Sequence, residues 1–426
     1  MTPPRGLHAL LPPLSAHEAA VEANRCLYCY DAPCAHACPT HIDIARFIRK
    51  IATENLTGSA QTIFEANLLG ATCARVCPVQ ELCEGACVLG SEHKPVMIGR
   101  LQRYAMDYAY AHNVVPKARA ATGHKRVAVV GSGPAGLSCA GELALRGHQV
   151  TVFEKRAVAG GLSTYGIIAL REPVDIALAE ARLIERLGVK IVHGQELGGN
   201  LAIDQLKGEF DAVFLAVGLG AAPSMGVAGE EWMLDGLQYI EHSKMNGGAL
   251  QVGNNVVVIG AGNTAIDCAT VAKRLGAGQV TMLYRRTLAE MSAYPHEYAF
   301  VKVEGVDIRF LTQPVRVIGN GGKVVGLECV QMRLDGDAVP NPVPGSEFVV
   351  PADQVVKAVG QLKPALAALL GLATDKGYIQ VNRNFETSVS GMFAGGDCIR
   401  AKNSASTVMA VQDGKLAAEA IHIWLT

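Results

Sequence analysis

Two hydrophobic periods divide the chain. Up to residue 110 the apolar positions recur at helical spacing: Ile44, Phe47, Ile48 and Ile51 share one face, as do Ile98, Leu101, Ala105 and Tyr108. Ser15 with Glu18 three residues later is a capping-box pattern and predicts a helix running into Cys26. A further helix is predicted over residues 59–69, delivering the chain to Cys73. From residue 125 the period changes. Short apolar runs at 126–130, 150–153, 212–217, 256–259, 280–284 and 355–359 predict buried strands, and two of them run into glycine-rich turns followed by helical stretches. Residues 1–14 are proline-rich and predict a surface arm, while residues 111–124 are polar and unpatterned and predict a linker.

The strand at 126–130 opens directly into Gly131-Ser132-Gly133-Pro134-Ala135-Gly136, and Glu154 stands at the end of the next strand. In that context the glycines allow a tight turn and close approach of a pyrophosphate to a helix N-terminus, and the carboxylate accepts adenosine ribose hydroxyls. A second copy reads Gly260-Ala261-Gly262-Asn263-Thr264-Ala265, so two dinucleotides are expected. Here the ribose acid is replaced by Arg285 and Arg286, which suits a 2'-phosphate and hence NADPH, with a solvated strand end as the alternative. The runs at 212–217 and 355–359 bracket the second unit and mark it as an insertion. The first unit resumes and closes with Gly395-Gly396-Asp397, whose carboxylate is placed to hold the ribityl or pyrophosphate region of FAD; Thr407 and Val408 open a helix facing the flavin.

The predicted fold class is thus α/β: an all-helical domain over 1–110, a linker over 111–124, and two Rossmann-like domains. The FAD domain spans 125–219 and 361–426, and the NADP(H) domain, 220–360, is inserted in it. At 426 residues the chain exceeds one ordinary core. Half of it is hydrophobic, yet no uninterrupted apolar run is long enough for a membrane span, and a soluble cytoplasmic protein is expected. A net charge of -1 offers no footprint for nucleic acid.

Eight of the twelve cysteines lie between Cys26 and Cys87. Cys26, Cys29, Cys34 and Cys38 are separated by two, four and three residues, with Pro39 following; Cys73, Cys77, Cys83 and Cys87 are separated by three, five and three. Thiolates suit iron-sulfur iron or zinc, and a cysteine just before proline that crosses to the other cluster is a feature of two-cluster ferredoxins. That logic assigns Cys26, Cys29, Cys34 and a returning Cys87 to one 4Fe-4S cluster, and Cys38, Cys77 and Cys83 to a second, with Cys73 surplus or a fourth ligand. Spacing alone leaves two zinc sites open. Disulfides are disfavoured, because no secretory signal is evident. Without its metal centres the helical domain is expected to unfold. Cys139, Cys268, Cys329 and Cys398 are isolated, which disfavours a dithiol reductase and makes them core residues.

Cysteine domain, flavin unit and inserted nicotinamide unit, in that order, resemble the electron-input subunit of bacterial dihydropyrimidine dehydrogenase, and also the small subunit of glutamate synthase. Gly160-Gly161-Leu162-Ser163-Thr164, Phe393 to Asp397, Ile98 to Gln102, and the five residues between Cys77 and Cys83 favour the former. The resemblance implies cofactor contacts at Gly161 and Leu162. It also implies that Gln102 is the fourth ligand of the second cluster, leaving Cys73 unligated. Residues 167–173 depart from the family pattern, and only Arg171 carries over, as a flavin contact. Electrons would pass from NADPH to FAD and through both clusters to an FMN-containing barrel in a partner subunit, where uracil or thymine is reduced. Some separate bacterial FAD subunits of this family use NADH. The alternatives are a glutamate synthase-type NADPH:acceptor oxidoreductase and, more remotely, a zinc-stabilised scaffold without turnover. Lys357 interrupts an apolar strand with no evident reason in the sequence.

Overall fold

The computed structural model describes residues 8–118, 122–245, 249–334, 339–400 and 406–426. Parts of the expected arm (1–7) and linker (119–121) lie outside them. The chain divides into two compact units. The larger holds Leu11–Thr164, Val174–Leu219 and Lys363–Thr426; the smaller holds the chain up to Leu10, Tyr165–Pro173 and Gly220–Leu362.

The larger unit begins with helices. Ser15 caps Ala16–Ala23 through the expected reciprocal bonds with Glu18. Asp43 caps Ile44–Ala52, whose Ile44, Phe47, Ile48 and Ile51 are all buried. The helix expected over 59–69 runs instead over Leu56–Phe64, and a separate one, Gly70–Val76, begins after it. Asn67 separates them: its side-chain oxygen accepts from the Leu69 amide at 2.8 Å, a local turn that competes with helix continuation. Helix Ile98–Ala111 completes this part.

A five-stranded parallel sheet follows, in the order Met392–Ala394, Ala212–Leu215, Arg126–Val130, Gln149–Glu154, Lys190–His193. Its first strand in that order is the last in sequence, so the sheet closes across the insertion. Helices Pro134–Leu145 and Thr407–Leu425 pack so closely that a Cβ on Gly414 would lie 2.2 Å from the Ala135 carbonyl oxygen.

The smaller unit has its own parallel sheet, Leu234–Asp235, Gln354–Lys357, Asn255–Ile259, Gln279–Leu283, Asp307–Arg309. Helix Asn263–Arg274 packs on it. Leu327, Cys329 and Val350 of an antiparallel sheet, Thr312–Asn320, Lys323–Leu334 and Phe348–Pro351, pack against Val257, Ile259 and Val355. This second sheet is not legible in the sequence, because register shifts at Val324/Gly326 and Glu328/Cys329 break its period of two. Lys357 now has a reason: its ammonium is 2.7 Å from Glu230, whose carboxyl is drawn down to about 2 by that hydrogen bond. Among the described residues, no helix is long and apolar enough to cross a membrane.

Candidate functional site

The eight N-terminal cysteines collect around two cavities. The first is lined by Cys26, Cys29, Cys34 and Cys87 in a wall of Ile44, Ile48, Val96 and Ile98. The second is lined by Cys38, Cys73, Cys77, Cys83 and Gln102. Ile44 lines both cavities, so one side chain stands between them. Among the described residues, no three His, Cys, Asp or Glu side chains converge tightly enough for a single ion; the thiols ring larger spaces instead.

Electrostatics fit a metal centre in each. Burial, then Cys26 and Cys87, push the Cys34 thiol up to about 11. A hydrogen bond with Cys73, then burial, raises Cys77 well above the usual thiol range; burial and Glu84 raise Cys83. Thiols that resist ionising together need a cation among them to become ligands. Gln102 donates from Nε2 to the Gly70 carbonyl at 2.8 Å. A carbonyl accepts only from the nitrogen end, so the end of the amide left to a metal is the oxygen. Cys73 and Gln102 therefore both reach the second cavity.

In the first dinucleotide unit, Gly131 takes φ +100° and a Cβ there would lie 2.4 Å from the Ala216 carbonyl oxygen. Gly133 caps Pro134–Leu145, and its Cβ position has nothing within 4 Å: an open cradle at a helix N-terminus. Gly161 and Gly396 border it, at 2.7 Å from the Gly133 Cα and 2.9 Å from the Ala135 Cβ for an added Cβ; Leu162 begins a short helix after Gly161. Glu154 accepts from the Ser132 and Arg156 amides at 2.9 and 2.7 Å, which fixes its carboxylate at the strand end. Burial and Asp413 hold the Asp397 carboxyl above its ordinary range. Asp413 also accepts from the Gly396 amide and pairs with Arg400. Thr407 and Val408 do begin the last helix, and Val408 lines the second cysteine cavity. Nothing in residue type alone would have singled out Asp413 or Arg400 for these contacts.

In the second unit Gly260 has φ +135° and Gly262 caps Asn263–Arg274, with Asn263 Oδ1 accepting from the Tyr294 amide and Thr264 in the first turn. Arg285 and Arg286 follow strand Gln279–Leu283; Arg285 is exposed, whereas Arg286 buries an Nε that has no hydrogen-bond partner among the described residues. An orphaned guanidinium donor beside the expected ribose end fits an anionic ligand. Arg171 differs from expectation. Its Nε donates to Asp267 at 2.8 Å and its two terminal nitrogens to Glu297, all within the smaller unit. Burial opposes the charge but the two carboxylates outweigh it, so the guanidinium stays charged between them. Cys139, Cys268, Cys329 and Cys398 are buried, and burial raises every one of these thiols.

Residues 6–114 match the family described as dihydropyrimidine dehydrogenase domain II, 4Fe-4S cluster, and residues 125–414 match pyridine nucleotide-disulphide oxidoreductase. The chain is 35% identical to the NAD-dependent dihydropyrimidine dehydrogenase subunit PreT of Escherichia coli K12, over 98% of this chain and 97% of that one. It is 37% identical to the glutamate synthase [NADPH] small chain of Halomonas elongata, over 97% and 92%. Identity is also 37% to the NADP(+)-dependent formate dehydrogenase subunit beta of Moorella thermoacetica, where 92% of this chain spans only 60% of the relative. Lactococcus lactis thioredoxin reductase shares the fold over 71% of this chain and 99% of its own, at a TM-score of 0.58 and 22% identity.

Proposed function

Because the chain belongs to the pyridine nucleotide-disulphide oxidoreductase family, in the branch that carries a dihydropyrimidine dehydrogenase-type 4Fe-4S domain, we propose that it is the electron-input subunit of a dihydropyrimidine dehydrogenase. The chain is an NAD(P)H-dependent oxidoreductase that uses FAD and 4Fe-4S chemistry. In the proposed complex its partner is an FMN-containing barrel subunit that reduces uracil or thymine to the 5,6-dihydro form, and the location is cytoplasmic, where thiols stay reduced.

The observation that carries this reading is the continuity of the two cysteine cavities with the flavin-side helix: Val408 borders the second cavity and Ile44 separates it from the first. When bound, FAD supplies the exchange between the two-electron chemistry of nicotinamide and the one-electron chemistry of the clusters. The protein's part is placement. Gly131, Gly133, Pro134, Ala135 and Gly136 cradle the pyrophosphate of FAD, Glu154 its ribose, and Gly161, Leu162, Gly396, Asp397, Thr407 and Val408 border the flavin. Gly260, Gly262, Asn263 and Thr264 receive the nicotinamide dinucleotide, and Arg285 and Arg286 its 2'-phosphate. Cys26, Cys29, Cys34 and Cys87 hold the first cluster; Cys38, Cys77, Cys83 and Gln102 hold the second. No side-chain acid or base would be required for hydride transfer from nicotinamide to flavin, which the bound cofactors would supply.

Relatives of similar identity are named for different acceptors, and a glutamate synthase small-chain role is the second reading. Co-expression with candidate FMN subunits, followed by anaerobic assay of NAD(P)H oxidation, separates the two. Dependence on uracil or thymine is expected; dependence on glutamine with 2-oxoglutarate selects the second reading.

A further inference from the structure

The last helix, Thr407–Leu425, places Val408, Val411 and Lys415 at intervals of three and four, hence on one face. Val408 lines the second cysteine cavity and Val411 is fully buried. Lys415, half-buried, donates from Nζ to the carbonyls of Thr40 at 3.2 Å and Ala66 at 3.0 Å. Thr40 lines that cavity, and Ala66 is the residue before Asn67, which also lines it. Thr40 follows Cys38-Pro39, and its hydroxyl is 3.4 Å from Cys38 Sγ; Pro39 lines the space as well. One ammonium from the flavin-side helix thus ties together segments that the sequence separates. It also sets a positive charge one residue behind the cavity lining.

We propose that Lys415 is a positioning residue for the second cluster: it holds the Cys38-Pro39-Thr40 and Ala66-Asn67 segments in register, and its charge raises that cluster's potential relative to the first. The proposal rests on reading the cavity as a 4Fe-4S site. Reduction adds one electron and one negative charge to a cluster, and a nearby fixed cation favours that state. The second centre is thereby made the readier acceptor beside the flavin.

The test is potentiometric titration of the holoprotein with paramagnetic-resonance detection, after iron analysis, for wild type, Lys415→Met and Lys415→Arg. In Lys415→Met the one-electron reduction equilibrium of the second centre should shift on the order of tenfold toward the oxidised form, about 59 mV, with the first centre unmoved. Lys415→Arg should stay near wild type. Loss of the second centre in Lys415→Met but not in Lys415→Arg supports the same assignment. Unchanged potentials in Lys415→Met, equal shifts in both centres, or an arginine variant that behaves like methionine would overturn it. Wild-type protein lacking a second paramagnetic centre would instead overturn the reading of the cavity, whatever the variants do.

Discussion

Replacing Arg171 with methionine keeps much of the apolar stem and deletes the cation between Asp267 and Glu297. Those carboxylate side chains are only 11% and 12% exposed, against 20% for Arg171. Breaking a buried pair costs about 3–5 kcal/mol, because the charge left behind is unpaired; the partial exposure of Arg171 places this case near about 3 kcal/mol. At about 2–4 °C per kcal/mol for a domain of this size, the melting temperature of the smaller unit should fall by about 6–12 °C. Trp232 lies in that unit against Gly319 and reports its unfolding once Trp424 is replaced by phenylalanine. Burial already pushes the Asp267 carboxyl up, against the pull of Arg171. With the cation gone Asp267 should titrate higher still, and Glu297, which Arg171 helps hold below its ordinary range, should rise. A raised carboxyl costs stability above its folded pKa, so the deficit should be largest at neutral pH and shrink as the pH falls. Adding Asp267→Asn and Glu297→Gln to Arg171→Met should recover most of the loss. A variant that melts like wild type but purifies without flavin would refute the clamp and restore Arg171 as a flavin contact.

Other expected outcomes are as direct. Cys26→Ala and Cys83→Ala should each lose the iron of a different cluster, whereas Cys73→Ala keeps both; if it loses the second centre as completely as Cys83→Ala does, sulfur rather than Gln102 is the fourth ligand. NADPH should be preferred over NADH, and alanine at both Arg285 and Arg286 should raise the KM for NADPH about ten- to a hundredfold, the worth of a charge-assisted bond of about 1.5–3 kcal/mol, leaving NADH nearly unchanged. A wild type that prefers NADH contradicts that. Lys357→Met should destabilise the smaller unit above pH 4.5, the ordinary value for Glu230. Because the paired carboxyl is depressed, the difference from wild type should close as the pH falls through about 2, followed by Trp232 fluorescence.

The parallel frame was legible because each glycine turn sits where a strand meets a helix, a context that fixes both ends of the motif. Cys38 beside Pro39 was legible as a residue set apart from its neighbours, and it lines the second cavity whereas Cys26, Cys29 and Cys34 line the first. What escaped the sequence depends on contacts between distant residues. Asn67 breaks a helix through its side chain, register shifts hide the antiparallel sheet, and Glu230 explains Lys357 from 127 positions away. Arg171 carried a family pattern but found carboxylate partners 96 and 126 positions away.

In the proposed path electrons pass from NAD(P)H to FAD, then to the second cluster, whose cavity Val408 borders, and then to the first. Anaerobic titration of the holoprotein with NADPH, followed by absorption and paramagnetic resonance, tests it most directly when Cys83→Ala and Cys26→Ala are run beside wild type. Wild type should be brown, bleach in the flavin and cluster bands, and show two paramagnetic centres. Cys83→Ala should bleach only the flavin and leave the first cluster oxidised, while Cys26→Ala should still reduce the second. A colourless zinc protein, or a first cluster reduced as readily in Cys83→Ala as in wild type, would contradict the account.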